Sequence, residues 1–192
     1  MFLTRAVPDQ VAASLPGWVG QDAGVALELH LCDRGEAERV IARRPNPVID
    51  LPWAVGYPLD GDARACVAYT SHLPGSSGRS ASSPFGYYQM VEDGAVVGGI
   101  GFHGPPSGDV VEVGYGVVPA ARSRGVATAA LRLLLELAPG LPGVRRIVGR
   151  TEESNVASQR VMTGAGMVFV GRDADFLHFE IELAGRDCQV SP

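Results

Sequence analysis

Apolar residues recur along this chain in two periods, and the switches between them mark out strands and helices. In VALELHL, Val25, Leu27, Leu29 and Leu31 alternate with Ala26, Glu28 and His30, the period of a half-buried strand. Asp33 stands three residues before Glu36, the spacing of a capping box, and GEAERVIARR reads as a helix whose terminal Arg43 and Arg44 suit the negative end of its dipole. Residues 60–73 form a second short helix with Ala63, Cys66, Val67 and Thr70 on one face. GYYQMVE and VVGGIGF flank Asp93-Gly94, a strong hairpin signal. VVEVGYGVV is a further strand ending near Val118, PAARSRG a turn, and VATAALRLLLELA a helix with Ala127, Ala130, Leu131, Leu134, Leu135 and Ala138 on one face. Pro139 and Gly140 stop it. VRRIVGR is a strand, EESNVASQRVMTGAG a loop and short helix ending at Gly164 or Gly166, and MVFVGR and FLHFEIEL are two final strands.

This order predicts an α/β fold: one domain with a mixed, mostly antiparallel central sheet and helices on both faces. Residues 1–24, broken by Pro8, Pro16, Gly17, Gly20 and Gly24, are expected as an irregular arm or short helix, residues 25–183 as the domain and 184–192 as a tail. Four prolines between positions 45 and 58 make a loop carrying Trp53 and Tyr57, and the serine-rich stretch after His72 reads as a surface loop.

Composition narrows the chemistry. All 16 cations are arginines, so a pyridoxal phosphate Schiff base and the lysine of a GxxxxGKS phosphate loop are both closed. A net charge of -5 argues against a non-specific nucleic-acid binder or a polybasic membrane anchor. Cys32, Cys66 and Cys188 are far apart, with no CxxC and no histidine at metal-site spacing, which favours reduced thiols and no metal. No stretch approaches the roughly 18 apolar residues of a spanning helix, and the N-terminus lacks a basic leader, so the reading is a cytoplasmic protein.

The most informative stretch is EVGYGVVPAARSRGVATAALRLL, in which a strand leads through an arginine- and glycine-rich turn into an amphipathic helix. The N–H groups of Gly125, Val126, Ala127 and Thr128 at such a helix start form a ready anion site. Gly125 lets a phosphate approach the backbone, Arg122 or Arg124 supplies donors, and the small Ala127 leaves room. A solvated turn is the plainer alternative, and the GxGxxG of a dinucleotide fold is missing.

RSRGVA, Arg122 to Ala127, resembles the RxxGxG/A pyrophosphate loop of the GNAT family of N-acetyltransferases. The resemblance extends to EVGYGVVP upstream, to residues 151–171 downstream, and to LELHLCDRGEAERV near the start. It covers roughly residues 25 to 183 and is similar to the branch that acetylates ribosomal-protein N-termini and assorted amines, the RimJ/RimL-like branch. It implies the GNAT-like acyl-CoA N-acyltransferase fold, acetyl-CoA as co-substrate, and transfer of acetyl to a primary amine of a small molecule or peptide N-terminus. A monomer or homodimer is expected, with no nucleic-acid or membrane partner, as the net charge already argues. The strand before the loop is expected to splay from its neighbour, with Val117 and Val118 offering backbone groups to the pantetheine arm and one of their N–H groups to the developing oxyanion. Asn155 matches the family's asparagine, which bonds the same arm, although an N-cap is also supported.

Direct attack of an amine on a thioester needs a neutral nucleophile, oxyanion stabilisation and a proton for the leaving thiolate. Glu112 matches a glutamate common in this branch and is the candidate base, or else fixes a loop. Many relatives carry a tyrosine where this chain has Met162, which leaves Ser158, Tyr115 or water as the thiolate's proton source; Ser158 also reads as a cofactor ligand. His103 and His72 are lesser candidates. The missing tyrosine motivates the alternative of a non-catalytic acyl-CoA-binding or regulatory protein, and the acceptor's identity lies in residues 44–84, where the resemblance is thinnest.

Overall fold

The computed structural model describes residues 18–20, 27–75, 78 and 80–183. Its framework is one eight-stranded sheet made of β1 (Trp18–Gly20), β2 (Leu27–Leu31), β3 (Tyr87–Glu92), β4 (Ala95–Phe102), β5 (Val110–Val117), β6 (Arg146–Thr151), β7 (Val168–Arg172) and β8 (Leu177–Glu182), in the spatial order β1-β2-β3-β4-β5-β6-β8-β7. All neighbours are antiparallel except β5 and β6, which run parallel. The mixed, mostly antiparallel sheet expected from the element order is therefore observed. Residues 18–20, expected within an irregular arm, instead pair along β2; the rest of that arm up to residue 17, and the tail from 184, lie outside the described residues.

Local chemistry explains the elements. Asp93 and Gly94 both adopt positive φ, 51° and 75°, the conformation a two-residue turn needs to match the twist of β3 and β4. Helix α1 (Arg34–Ala42) starts on a reciprocal capping box: Glu36 N–H donates to Asp33 Oδ1 and Asp33 N–H to Glu36 Oε2, each at 2.8 Å. Helix α2 (Asp60–His72) buries Asp62, Cys66 and Tyr69 rather than the face through Ala63 and Val67. The shift of face follows from partners for the polar groups, since Asp62 accepts the Leu59 N–H at 2.7 Å and the Tyr69 hydroxyl donates to the Cys32 carbonyl at 2.8 Å.

Helices α3 (Val126–Leu137) and α4 (Val156–Gly164) complete the fold. Side chains on β5 alternate between the sheet's faces. Tyr115 meets Ser158 of α4, whereas Gly114 and Gly116 lie beneath His103 and beneath Leu59, the residue before α2. Thr128 of α3 touches Gly164 of α4, so α3 and α4 cover one face and α2 the other. Leu131 and Leu134 of α3 are fully buried, and each such side chain contributes about 1.5–3 kcal/mol relative to exposure. No described helix is long and apolar enough to cross a membrane.

Candidate functional site

Strand β5 pairs with β6 only from Val110 to Glu112, opposite Arg146 to Val148, and then continues to Val117 against β4 alone. Beyond Glu112 the two parallel strands diverge, and a cavity of about 710 Å³ opens beside Tyr115, Gly116 and Val117. Its far walls are the turn residues Ala121 to Ser123 and Gly125, the first turn of α3, and Asn155, Ala157, Ser158, Arg160 and Val161 of the α4 region.

The backbone of β5 offers different groups to its two sides. Val118 N–H donates to the Val97 carbonyl at 2.9 Å and its side chain is only 1% exposed, so Val118 belongs to the β4 pairing and the core. Its N–H, expected beside the cofactor arm, is thus engaged within the sheet. In an extended strand, adjacent residues point their N–H and C=O groups to opposite sides, which turns those of Val117 toward the opening. Its carbonyl already accepts Arg122 Nε at 3.0 Å, so the Val117 amide is the group left for a ligand.

Gly125 is the N-cap of α3, with φ 83° and no side-chain cap. The helix's first internal bond is Ala129 N–H to Gly125 C=O, so the amides of Val126, Ala127 and Thr128 lack intrahelical acceptors at the cavity wall. That cradle suits an anion, because the helix dipole and the orphan donors act together. Arg122 lines it as expected. Arg124 does not: its Nη2 donates to Glu92 Oε1 at 3.0 Å, on the strand β3 side of the turn. Arg124, expected as a phosphate donor, is thus engaged with Glu92 in this structure.

On the α4 wall, Asn155 Oδ1 accepts the Ser158 N–H at 3.1 Å and so caps the helix. The amide nitrogen of Asn155 stays outside that bond. Ser158 Oγ lies 2.9 Å from the Tyr115 hydroxyl, which also donates to the Ser158 carbonyl at 3.1 Å. Burial pushes the Tyr115 phenol above its usual range, partly offset by the bond to Ser158. Met162, the position expected to leave the site without a proton donor, is 1% exposed and packs over Gly149 of β6.

Glu112 occupies the last paired position before the strands part, on the opposite face of β5 from Tyr115. Both of its oxygens are engaged by Arg150, at 2.9 and 3.0 Å from Nε and Nη2, and His103 Nδ1 is 3.3 Å from Oε1. The missing Gly114 side chain lets the imidazole lie against the strand, since a Cβ there would come within 2.5 Å of His103 Nε2. An incoming ammonium must share Glu112 with Arg150, whose guanidinium also lies 5.6 Å over the Phe176 ring. His72 is elsewhere, at the end of α2 beside Gly104, with Nδ1 bonded to the Ala68 carbonyl. Arg150, Arg160 and Leu59 were not singled out by sequence, and no local motif marks them.

Comparison with known proteins identifies the family and the fold. The family model described as an acetyltransferase (GNAT) domain matches residues 28–168. A Bacillus subtilis (strain 168) protein named uncharacterized N-acetyltransferase YjdG is 29% identical over 85 residues, 44% of this chain and 51% of that protein, so the match spans about half the length of that curated relative. Among solved structures, Campylobacter jejuni N-acetyltransferase PseH in complex with acetyl coenzyme A aligns with a TM-score of 0.54 at 16% identity, covering 81% of this chain and 99% of that one. Mycobacterium smegmatis RimJ in complex with CoA-disulfide aligns with a TM-score of 0.55 at 19% identity, covering 82% of each chain. Both likenesses are of fold. The ribosomal-protein branch stands level with others and is not singled out.

Proposed function

The chain belongs to the GNAT acetyltransferase family, and from that premise we propose that it moves the acetyl group of acetyl-CoA directly to a primary amine, of a small molecule or a peptide N-terminus, within a ternary complex. The observation that carries this reading is the opening of β5 from β6 after Glu112, walled by an uncapped helix start and faced by the Val117 amide. In this reading the amides of Gly125 to Thr128, with Arg122, hold the pyrophosphate, Asn155 aligns the pantetheine arm, and the Val117 amide faces the acetyl group.

Acetyl-CoA supplies the thioester carbon that the amine nitrogen attacks. The Val117 N–H donates to the carbonyl oxygen as it gains charge. As the carbon–sulfur bond breaks, Ser158 donates its proton toward the thiolate and Tyr115 stands behind it as a second donor. Glu112, shared with Arg150 and His103 on the other face of β5, takes the proton of the incoming ammonium directly or through water. Cys32 and Cys66, free and buried, suit a reducing cytoplasm in which the chain works as a monomer or homodimer.

The test is release of free thiol from acetyl-CoA in the presence of a panel of amines and peptides, alongside direct titration of acetyl-CoA. Amine-dependent thiol release is the expected result. Binding without release from any acceptor would favour an acyl-CoA-binding protein over an enzyme, and no binding would overturn both.

A further inference from the structure

We propose that Glu92 is a positioning residue for the phosphate-binding turn, acting through Arg124. The inference rests on the reading that the start of α3 takes the pyrophosphate of acetyl-CoA. Glu92 ends β3 and is 6% exposed, yet its only side-chain partner among the described residues is Arg124, at 3.0 Å. A buried carboxylate left without its partner is an uncompensated charge, so Glu92 holds Arg124 firmly although the guanidinium itself is half-exposed. Arg124 directly precedes the helix N-cap, and the residues on each side of it, Ser123 and Gly125, have φ of 58° and 83°. Two left-handed residues in three break any regular backbone ladder. The turn is tied by side chains instead: Arg122 Nε to the Val117 carbonyl on β5, and Arg124 to Glu92 on β3.

These two ties pull toward different strands and together set where the amides of Gly125 and Val126 point. Arg124 also neutralises a carboxylate that lies within one arginine's length of the anion site, where its field would oppose a bound phosphate. The arginine therefore serves the phosphate without touching it, and the glutamate supplies the anchor.

The experiment compares Glu92→Gln, Glu92→Ala, Arg124→Ala and the double alanine variant with the wild type, using two acetyl donors, acetyl-CoA and S-acetylpantetheine, which lacks all the phosphates. For acetyl-CoA, Arg124→Ala and Glu92→Ala should each raise Kd and KM about tenfold with kcat little changed, and the double variant should be no worse than Arg124→Ala. Glu92→Gln, which keeps a neutral acceptor, should fall between these and the wild type. Use of S-acetylpantetheine should be unaffected, a discrimination that general loss of structure would not produce. Equal losses with both donors, or none, overturn the proposal. Tighter acetyl-CoA binding in Glu92→Ala also overturns it, since Arg124 would then be a phosphate ligand that Glu92 holds back. A wild type that gains nothing from the phosphates would overturn the reading of the site itself, whatever the variants do.

Discussion

The Tyr115 hydroxyl lies 2.9 Å from Ser158 Oγ and 3.1 Å from the Ser158 carbonyl, joining β5 to the first turn of α4 across the wall of the cavity. Two residues that each appear as a lone candidate donor in the sequence thus form one hydrogen-bonded unit. Ser158→Ala is expected to lower kcat by more than about tenfold with little change in acetyl-CoA affinity, and Tyr115→Phe by less. The double variant should cost little more than Ser158→Ala, because without the serine hydroxyl the phenol has no group through which to act. Steady-state turnover paired with acetyl-CoA titration checks this, and weakened binding with intact turnover in Ser158→Ala would make Ser158 a cofactor ligand only. Because burial raises the Tyr115 pKa above its usual 10, the phenol keeps its proton at higher pH than a free tyrosine. Turnover should accordingly show no alkaline fall from Tyr115 below that range.

At the anion cradle, Gly125→Val and Arg122→Ala should separate backbone from side chain. Gly125 sits at φ 83°, and the space beside it is open within 4 Å of where a Cβ would stand, so the free protein suffers conformational strain rather than a clash. The variant is expected to lose about 1–2 kcal/mol of stability and most of its acetyl-CoA affinity, as the amides at the start of α3 turn away. Arg122→Ala removes one charge-assisted contact together with the tie to Val117, and should weaken binding by about tenfold. Thermal unfolding and calorimetric titration read the two effects; unchanged affinity in both folded variants would remove the phosphate site.

Much of this was legible in the chain because the signals are local. The Asp33–Glu36 capping box, the Asp93-Gly94 hairpin and the glycine turn into α3 each lie within a few residues, and each element forms where its pattern indicates. Trp18–Gly20 escaped because three residues carry no period, and its partner β2 supplies the pairing. What the chain does not display is which distant side chains meet. Tyr115 and Ser158 are 43 positions apart, Glu112 and Arg150 are 38, and Glu92 and Arg124 are 32. Their pairing depends on how strands and turns meet once the sheet forms, a tertiary event with no local code. Arg124 was read as a phosphate ligand for the same reason, since a turn arginine and a buried glutamate on β3 are unrelated until the sheet forms.

Glu112 tests how the other face of β5 works. If it accepts the substrate proton, Glu112→Gln should lower kcat/KM by about a hundredfold and flatten the acidic limb of the pH–rate profile, leaving acetyl-CoA affinity unchanged. Arg150→Met, which removes the guanidinium from both carboxylate oxygens and leaves His103 Nδ1 3.3 Å from Oε1, should keep that limb. A Glu112 that only fixes the strand end would instead make the two variants alike, with equal small losses of stability and a normal profile. Measuring both profiles with one acceptor amine decides between these roles.

Asp62 predicts a pH dependence of folding that is independent of the catalytic groups. Its side chain is buried in the first turn of α2, where it accepts the Leu59 N–H at 2.7 Å, and burial lifts its pKa from 3.8 to about 6 despite the lowering effect of that bond. A carboxyl whose folded pKa is raised holds its proton more tightly in the folded than in the unfolded chain. Its contribution to stability is therefore fully present below about pH 4 and is lost as pH rises through about 6. Asp62→Asn removes the ionisation and retains an oxygen to accept from Leu59. The variant should be more stable than wild type by on the order of 2 kcal/mol at pH 7.5, and the difference should shrink toward zero near pH 4. Denaturant unfolding of both proteins across this range isolates the effect, because acid-sensitive groups common to the two cancel in the difference. A gap that stays constant with pH would show that Asp62 is ionised in the fold throughout, held by the helix start and by Arg43 rather than driven toward neutrality by burial.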